Sequence, residues 1–189
     1  MTVSVISRKD AVSTTWSGGT TTEFYLFPRD GSYKERRFDL RISSATVDLE
    51  ASDFTLLPDY QRIITPLERG FTLTYKETGE KVTLAPLEED FFDGAYHTHS
   101  IGKAIDFNVM YKKGMHAAYS VINASKKFGL ADFRFLYVPF IDAKDLTGST
   151  LNEHSLTRDT LYVSDDRSDA FVLALKKPVS LIYVSVRKA

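Results

Sequence analysis

Three short runs in the chain alternate charged or amide side chains with large apolar ones at strand spacing. They are Phe38-Asp39-Leu40-Arg41-Ile42-Ser43, Gln61-Arg62-Ile63-Ile64 and Ile105-Asp106-Phe107-Asn108-Val109-Met110. A strand points successive side chains to opposite faces, so Arg41 and Ser43 share one face of theirs, and Asp106 and Asn108 one face of theirs. Leu40 and Ile42, and Ile105, Phe107 and Val109, take the opposite faces. Either the polar faces look at bulk solvent, or they line the inside of a barrel and build a polar pocket.

The alternation continues along most of the chain. It predicts strands at 2–7, 22–27, 36–47, 62–65, 71–75, 81–85, 104–111, 115–122, 133–139, 160–163, 170–176 and 179–187. The 13 Phe and 10 Tyr suit pleated surfaces. Turns fall at Pro28-Arg29-Asp30-Gly31, Glu77-Thr78-Gly79-Glu80, Ile101-Gly102-Lys103 and Lys112-Lys113-Gly114. The segments 71–75 and 81–85 read as a hairpin, and 170–176 with 179–187 as another, Pro178 lying in its turn. Helical turns are expected only at 65–68 and 141–146. Short strands recurring with Gly, Pro and Asp turns indicate an all-β sandwich or barrel. The stretch 120–130 reads as a junction, dividing a larger module at 1–120 from a smaller one at 121–189.

Composition narrows the function. At 189 residues the chain buries roughly 70% of its extended surface and needs no staple. The absence of Cys removes disulfides, thiolate nucleophiles and cysteine zinc sites. A net charge of −1, with both signs dispersed, argues against a nucleic-acid footprint. The first ten residues show no secretory signal, and no apolar run approaches the roughly 20 residues of a membrane helix. The expectation is a soluble cytoplasmic protein that binds neither nucleic acid nor membrane.

Candidate chemistry is sparse. In Trp16-Ser17-Gly18-Gly19, two glycines permit positive φ and close approach, so the segment is either a loop capping a pocket, with Trp16 as its wall, or a tight turn whose Trp plugs one end of a barrel. A buried guanidinium must be paired or face a wet cavity, which applies to Arg41 and Arg62, with Asp106 a candidate partner. An arginine with a free fork binds a carboxylate. His97 and His99 stand two residues apart, as two ligands of a metal would, but their neighbourhood lacks a third and a fourth. No Gly-x-Ser-x-Gly, phosphate loop or dinucleotide fingerprint occurs, and no carboxylate pair is assignable as acid and base. The case for catalysis is thin.

Four motifs in order carry a resemblance: Trp16-Ser17-Gly18-Gly19-Thr20 with Glu23; Phe38 to Ala45; Phe54, Pro58 and Arg62; and Phe92-Asp93-Gly94 with Asp106-Phe107-Asn108-Val109-Met110. Together they resemble the HutD/Ves family over roughly residues 14–112. Ser17 departs from the pattern, which has Asn there and so one more amide. The resemblance implies a cupin-type jelly-roll barrel, a bicupin of two β modules in one chain, pairing as a homodimer, and a place in histidine catabolism. It implies binding of a small anionic metabolite such as formylglutamate, without catalysis and without a cofactor. Carried over by position, the ligand-binding residues are Trp16, Gly18, Gly19, Glu23, Arg41, Ser43, Arg62, Asp106 and Asn108. Arg62, with Arg41 second, is expected to anchor a carboxylate while Asp106 and Asn108 orient it. The rival expectation is a metal-dependent cupin isomerase or dioxygenase using His97 and His99.

Overall fold

The computed structural model describes residues 3–189, so Thr2 of the first expected strand lies outside the described residues. In chain order the strands are β1 (Ser4–Ser7), β2 (Val12–Trp16), β3 (Gly19–Phe27), β4 (Leu40–Val47), β5 (Ala51–Asp53) and β6 (Tyr60–Glu68). Next come β7 (Phe71–Tyr75), β8 (Lys81–Leu84), β9 (Asp90–Asp93), β10 (Thr98–Ile101), β11 (Ala104–Lys112) and β12 (His116–Ile122). The remainder are β13 (Lys126–Lys127), β14 (Phe133–Val138), β15 (Thr150–Leu151), β16 (His154–Ser155), β17 (Thr160–Ser164), β18 (Val172–Ala174) and β19 (Leu181–Arg187). A short α1 (Ala143–Leu146) falls inside the expected helical turn at 141–146.

The chain divides into two units: Ala11–Lys113, and Met1–Asp10 together with Gly114–Ala189. The boundary falls at 113/114 instead of 120/121 because β12 pairs with β19, and Met1–Asp10 joins the same unit because β1 pairs with β17. In the unit Ala11–Lys113, one sheet runs β2-β3-β4-β11-β6-β9 and a second β5-β10-β7-β8. Ile64, Phe92 and Ala104 of the first sheet bury against Phe71, Leu73, Tyr75 and Leu84 of the second, so a core lies between the sheets. The other unit has sheets β1-β17-β14-β19-β12 and β13-β18-β15-β16. Leu136, Val138, Tyr162 and Leu181 of its first sheet pack with Leu151 and Leu173 of its second. No sheet closes on itself, so each unit is a pair of antiparallel sheets where a barrel was expected.

Three expectations are corrected. The 65–68 segment is strand, not helix: it completes β6, and Pro66 is tolerated because the ladder to β11 shifts register beside it, opposite Ile105 and Asp106. The hairpin between 170–176 and 179–187 does not form, because β18 pairs with β13 and β15 while β19 pairs with β12 and β14. The connection through Pro178 instead carries the chain from one sheet to the other. The strand expected from residue 36 starts at Leu40, since Arg36 adopts φ 59° within a turn. Strands β2, β5, β9 and β10 escape the pattern because they are short and largely polar.

Candidate functional site

Partners in an antiparallel ladder share a face, so the registers define what stands together. One row across the first sheet of the Ala11–Lys113 unit is Leu26, Arg41, Met110, Arg62 and Phe92. The next row is Glu23, Ser43, Asn108, Ile64 and Asp90, and the next Thr21, Ala45, Asp106 and Pro66. A bulge between Glu23 and Tyr25 brings Glu23 onto this face, where unbroken alternation from Leu26 would have placed Phe24. The face points at the second sheet, because Ile64 and Phe92 belong to the core between the two. Arg41, Ser43, Arg62, Asp106 and Asn108 are each no more than 6% exposed, which decides against polar faces in bulk water.

Arg41 is engaged through Nε and Nη1. Its Nε donates to Glu23 Oε2 at 2.7 Å, and its Nη1 to Ser43 Oγ at 3.1 Å and to Met110 Sδ at 3.9 Å. Its guanidinium lies 4.1 Å from the Tyr33 ring centroid. Burial works to raise the Tyr33 phenol, but the charge of Arg41 and hydrogen bonds with Thr55 and Arg36 hold it below the ordinary tyrosine value. The guanidinium is thus fixed by a carboxylate, a hydroxyl and a ring, and the partner of Arg41 is Glu23 rather than Asp106.

Arg62 is different. Its guanidinium stands 4.7 Å from the Phe54 ring and 5.1 Å from the Phe92 ring, and Nε has no acceptor. Desolvation pulls its pKa down to about 10, against the pull of Tyr33 and Asp106 in the other direction, so it stays charged at neutral pH. On the same face, Asp106 Oδ1 and Asn108 Oδ1 are buried without a donor. Burial pushes the Asp106 carboxyl up to about 7, opposed by the attraction of Arg62, a backbone hydrogen bond from Ala45 and the attraction of Arg41. One cationic donor, one titratable oxygen and one amide acceptor are therefore held unsatisfied together. Buried polar atoms in native proteins are ordinarily paired, so this cluster is chemically incomplete by itself.

The remaining expected residues lie apart. Trp16 is 39% exposed on the edge strand β2, three strands and about 14 Å across the sheet from β11. Its ring rests on its own hairpin turn, where a Cβ on Gly18 would meet it at 2.1 Å. Gly19 has φ 151°, and a Cβ there would stand 1.8 Å from the Thr46 carbonyl oxygen, so this glycine serves close strand pairing. Glu23 acts through Arg41. The aromatic members Tyr33, Phe54 and Phe92 went unassigned in the sequence. Phe54 and Phe92 fall inside the recognised motifs and could have been found there, whereas Tyr33 lies in a connection without periodicity.

Beside this face lies a concavity of about 440 Å³ whose lining includes Gln61, Tyr75, Asp90, Phe92, Asp93 and Tyr96. Phe92 is common to both, with its ring against the Arg62 guanidinium. The Tyr75 hydroxyl donates to Asp90 Oδ2, and burial followed by that carboxylate raises the phenol.

His97 and His99 are each held by a carboxylate, Nδ1 of His97 at 2.5 Å from Glu77 and Nδ1 of His99 at 2.9 Å from Asp53. Hydrogen bonds from these imidazoles lower the pKa of both acids. Among the described residues no three His, Cys, Asp or Glu side chains gather in a metal-holding group. No described helix is long and apolar enough to cross a membrane.

The model of the HutD family matches residues 8–181. HutD from Pseudomonas fluorescens SBW25, in a formate condition, aligns over 100% of both chains with 21% identity and a TM-score of 0.81. A conserved protein of unknown function from Pseudomonas aeruginosa PAO1 aligns over 100% of both, with 21% identity and a TM-score of 0.82. The Escherichia coli pirin YhhW in complex with nickel(II) aligns over 100% of both at 9% identity and a TM-score of 0.66. Comparison with curated protein sequences gives no match. At these identities the structural likenesses establish an all-β, cupin-type fold. A nickel site does not fit the inward face described here: two guanidiniums stand on it, and among the described residues no three His, Cys, Asp or Glu side chains gather to hold a metal. The family match spans nearly the whole chain, and on that ground the chain belongs to the HutD family.

Proposed function

We propose that this protein is a non-catalytic bicupin that binds a small carboxylate on Arg62 and reports its level to histidine utilisation. One observation carries the reading: Arg62 Nε, Asp106 Oδ1 and Asn108 Oδ1 are buried on one face without partners. A carboxylate accepts from the guanidinium, and an amide N–H on the same ligand donates to Asn108 Oδ1. Phe54 and Phe92 supply apolar walls, giving the mix of few polar groups and mainly apolar lining that small-ligand sites have. Formylglutamate, with carboxylates and one N–H, matches this donor and acceptor order. Titration calorimetry with formylglutamate on the wild type and on Arg62→Met tests the reading, with glutarate as the ligand lacking N–H. Binding lost in Arg62→Met, and weaker for glutarate than for formylglutamate, is expected. Equal affinity in the variant discards the anchor.

A further inference from the structure

The other unit carries a second guanidinium in the same chemical predicament. Arg134 lies on β14, central in its sheet, and pairs with Ser164 of β17 and Ser185 of β19. That register places it on the inward face, in line with Leu136, Tyr162 and Tyr183 of the core. It is completely buried. Nη2 donates to Ser164 Oγ at 2.9 Å and to the Asp166 carbonyl oxygen at 2.8 Å, and the Phe171 ring lies 5.4 Å from the guanidinium carbon. Nε and Nη1 have no acceptor.

Every hydrogen-bond partner of Arg134 is neutral. The Asp166 carboxylate is exposed and accepts from the backbone and hydroxyl of Ser168, so it reaches Arg134 only as a distant charge. Arginine cannot escape burial by losing its proton, as a buried lysine can. A buried cation with unused donors calls for an acceptor that also brings negative charge. The Ser164 hydroxyl is itself turned to the Asp166 carbonyl, so the serine beside the guanidinium supplies no charge. The apolar surroundings are aromatic: Phe128 stacks on Tyr183 at 4.0 Å and meets Phe171 edge-on at 5.6 Å. Tyr183 and Ser185 on this face remain half-buried rather than sealed.

We propose that Arg134 is the anchor of a second anion site in this protein, specific for a small monocarboxylate, one oxygen of which accepts from Nε while its short apolar end packs against Phe171. A single guanidinium matches one negative charge, which favours a carboxylate over a phosphate. A water molecule could satisfy Nε as well, but it would leave the charge uncompensated.

The site is tested by following arginine Nε–Hε resonances while sodium acetate replaces sodium chloride at constant ionic strength. The wild type and Arg62→Met should show a saturable shift of the Arg134 resonance, with a dissociation constant on the order of 1 mM. The shift should vanish in Arg134→Met. An Arg134 resonance that stays fixed, or that responds equally to chloride, overturns the proposal. If Arg134→Met does not fold, wild-type crystals soaked in bromopropionate decide: anomalous bromine density beside Phe171 upholds the site, and a water alone on Nε ends it. Arg62 and Arg134 report as separate resonances, so failure here leaves the reading of Arg62 standing, and the reverse holds.

Discussion

Replacing Asp106 by Asn should change how stability depends on pH, with a sign opposite to that of a carboxylate in an ion pair. Burial lifts the Asp106 carboxyl from 3.8 to about 7. Between those values the folded protein holds a proton that the unfolded chain has released. Its contribution to stability is therefore complete below the unfolded value and is lost as pH rises toward the folded one. The slope is at most about 1.4 kcal/mol per pH unit, giving a ceiling of about 4 kcal/mol across the window, out of a total domain stability of roughly 5–15 kcal/mol. Asp106→Asn keeps the shape and removes the titration. The stability of the variant relative to wild type should thus rise from near zero at about pH 4 to several kcal/mol at about pH 8. Urea unfolding across this range, with slopes checked for constancy, measures the difference. Parallel curves would show that burial does not dominate at Asp106. A wild type that gains on the variant as pH rises would show that the pull of Arg62 and Arg41 prevails, making Asp106 their partner rather than a group waiting for one.

Further outcomes follow from the same geometry. A carboxylate bound at Arg62 keeps the neighbouring Asp106 protonated, so calorimetric affinity should fall up to tenfold per pH unit above about 7. Glu23→Gln removes the charged acceptor of a buried Arg41 and should lower unfolding free energy by about 1–3 kcal/mol, read from the denaturant midpoint. Gly19→Ala forces a Cβ against the Thr46 carbonyl at a φ closed to side chains, and should cost about 2 kcal/mol or more, seen as a drop in Tm. Excess chelator should leave Tm unchanged, because no third His, Cys, Asp or Glu joins His97 and His99 among the described residues; a marked drop would reinstate a structural metal.

The local pattern was enough to place Arg41 with Ser43 and Asp106 with Asn108, because a two-residue side-chain period is a property of the extended backbone alone. Composition and alternation likewise gave the all-β class, and the order of four short motifs gave the family. The same pattern could not say whether those polar faces met water, since alternation is identical on a solvated strand and on one covered on both sides. Burial of both faces of β4, β6 and β11 settled that. Register between strands far apart in sequence decided the rest: Arg62 shares a row with Met110, Glu23 rather than Asp106 pairs with Arg41, and β18 leaves β19 for another sheet. The aromatic rings over the guanidiniums come from connections and, for Phe92, from the neighbouring strand β9, and Arg134 stands in a run, Phe133 to Val138, that reads as ordinary strand. Such contacts are chosen by packing between distant segments, where a shift of one residue would turn every side chain to the other face; that choice is made by the assembled sheets and is absent from any local stretch of chain.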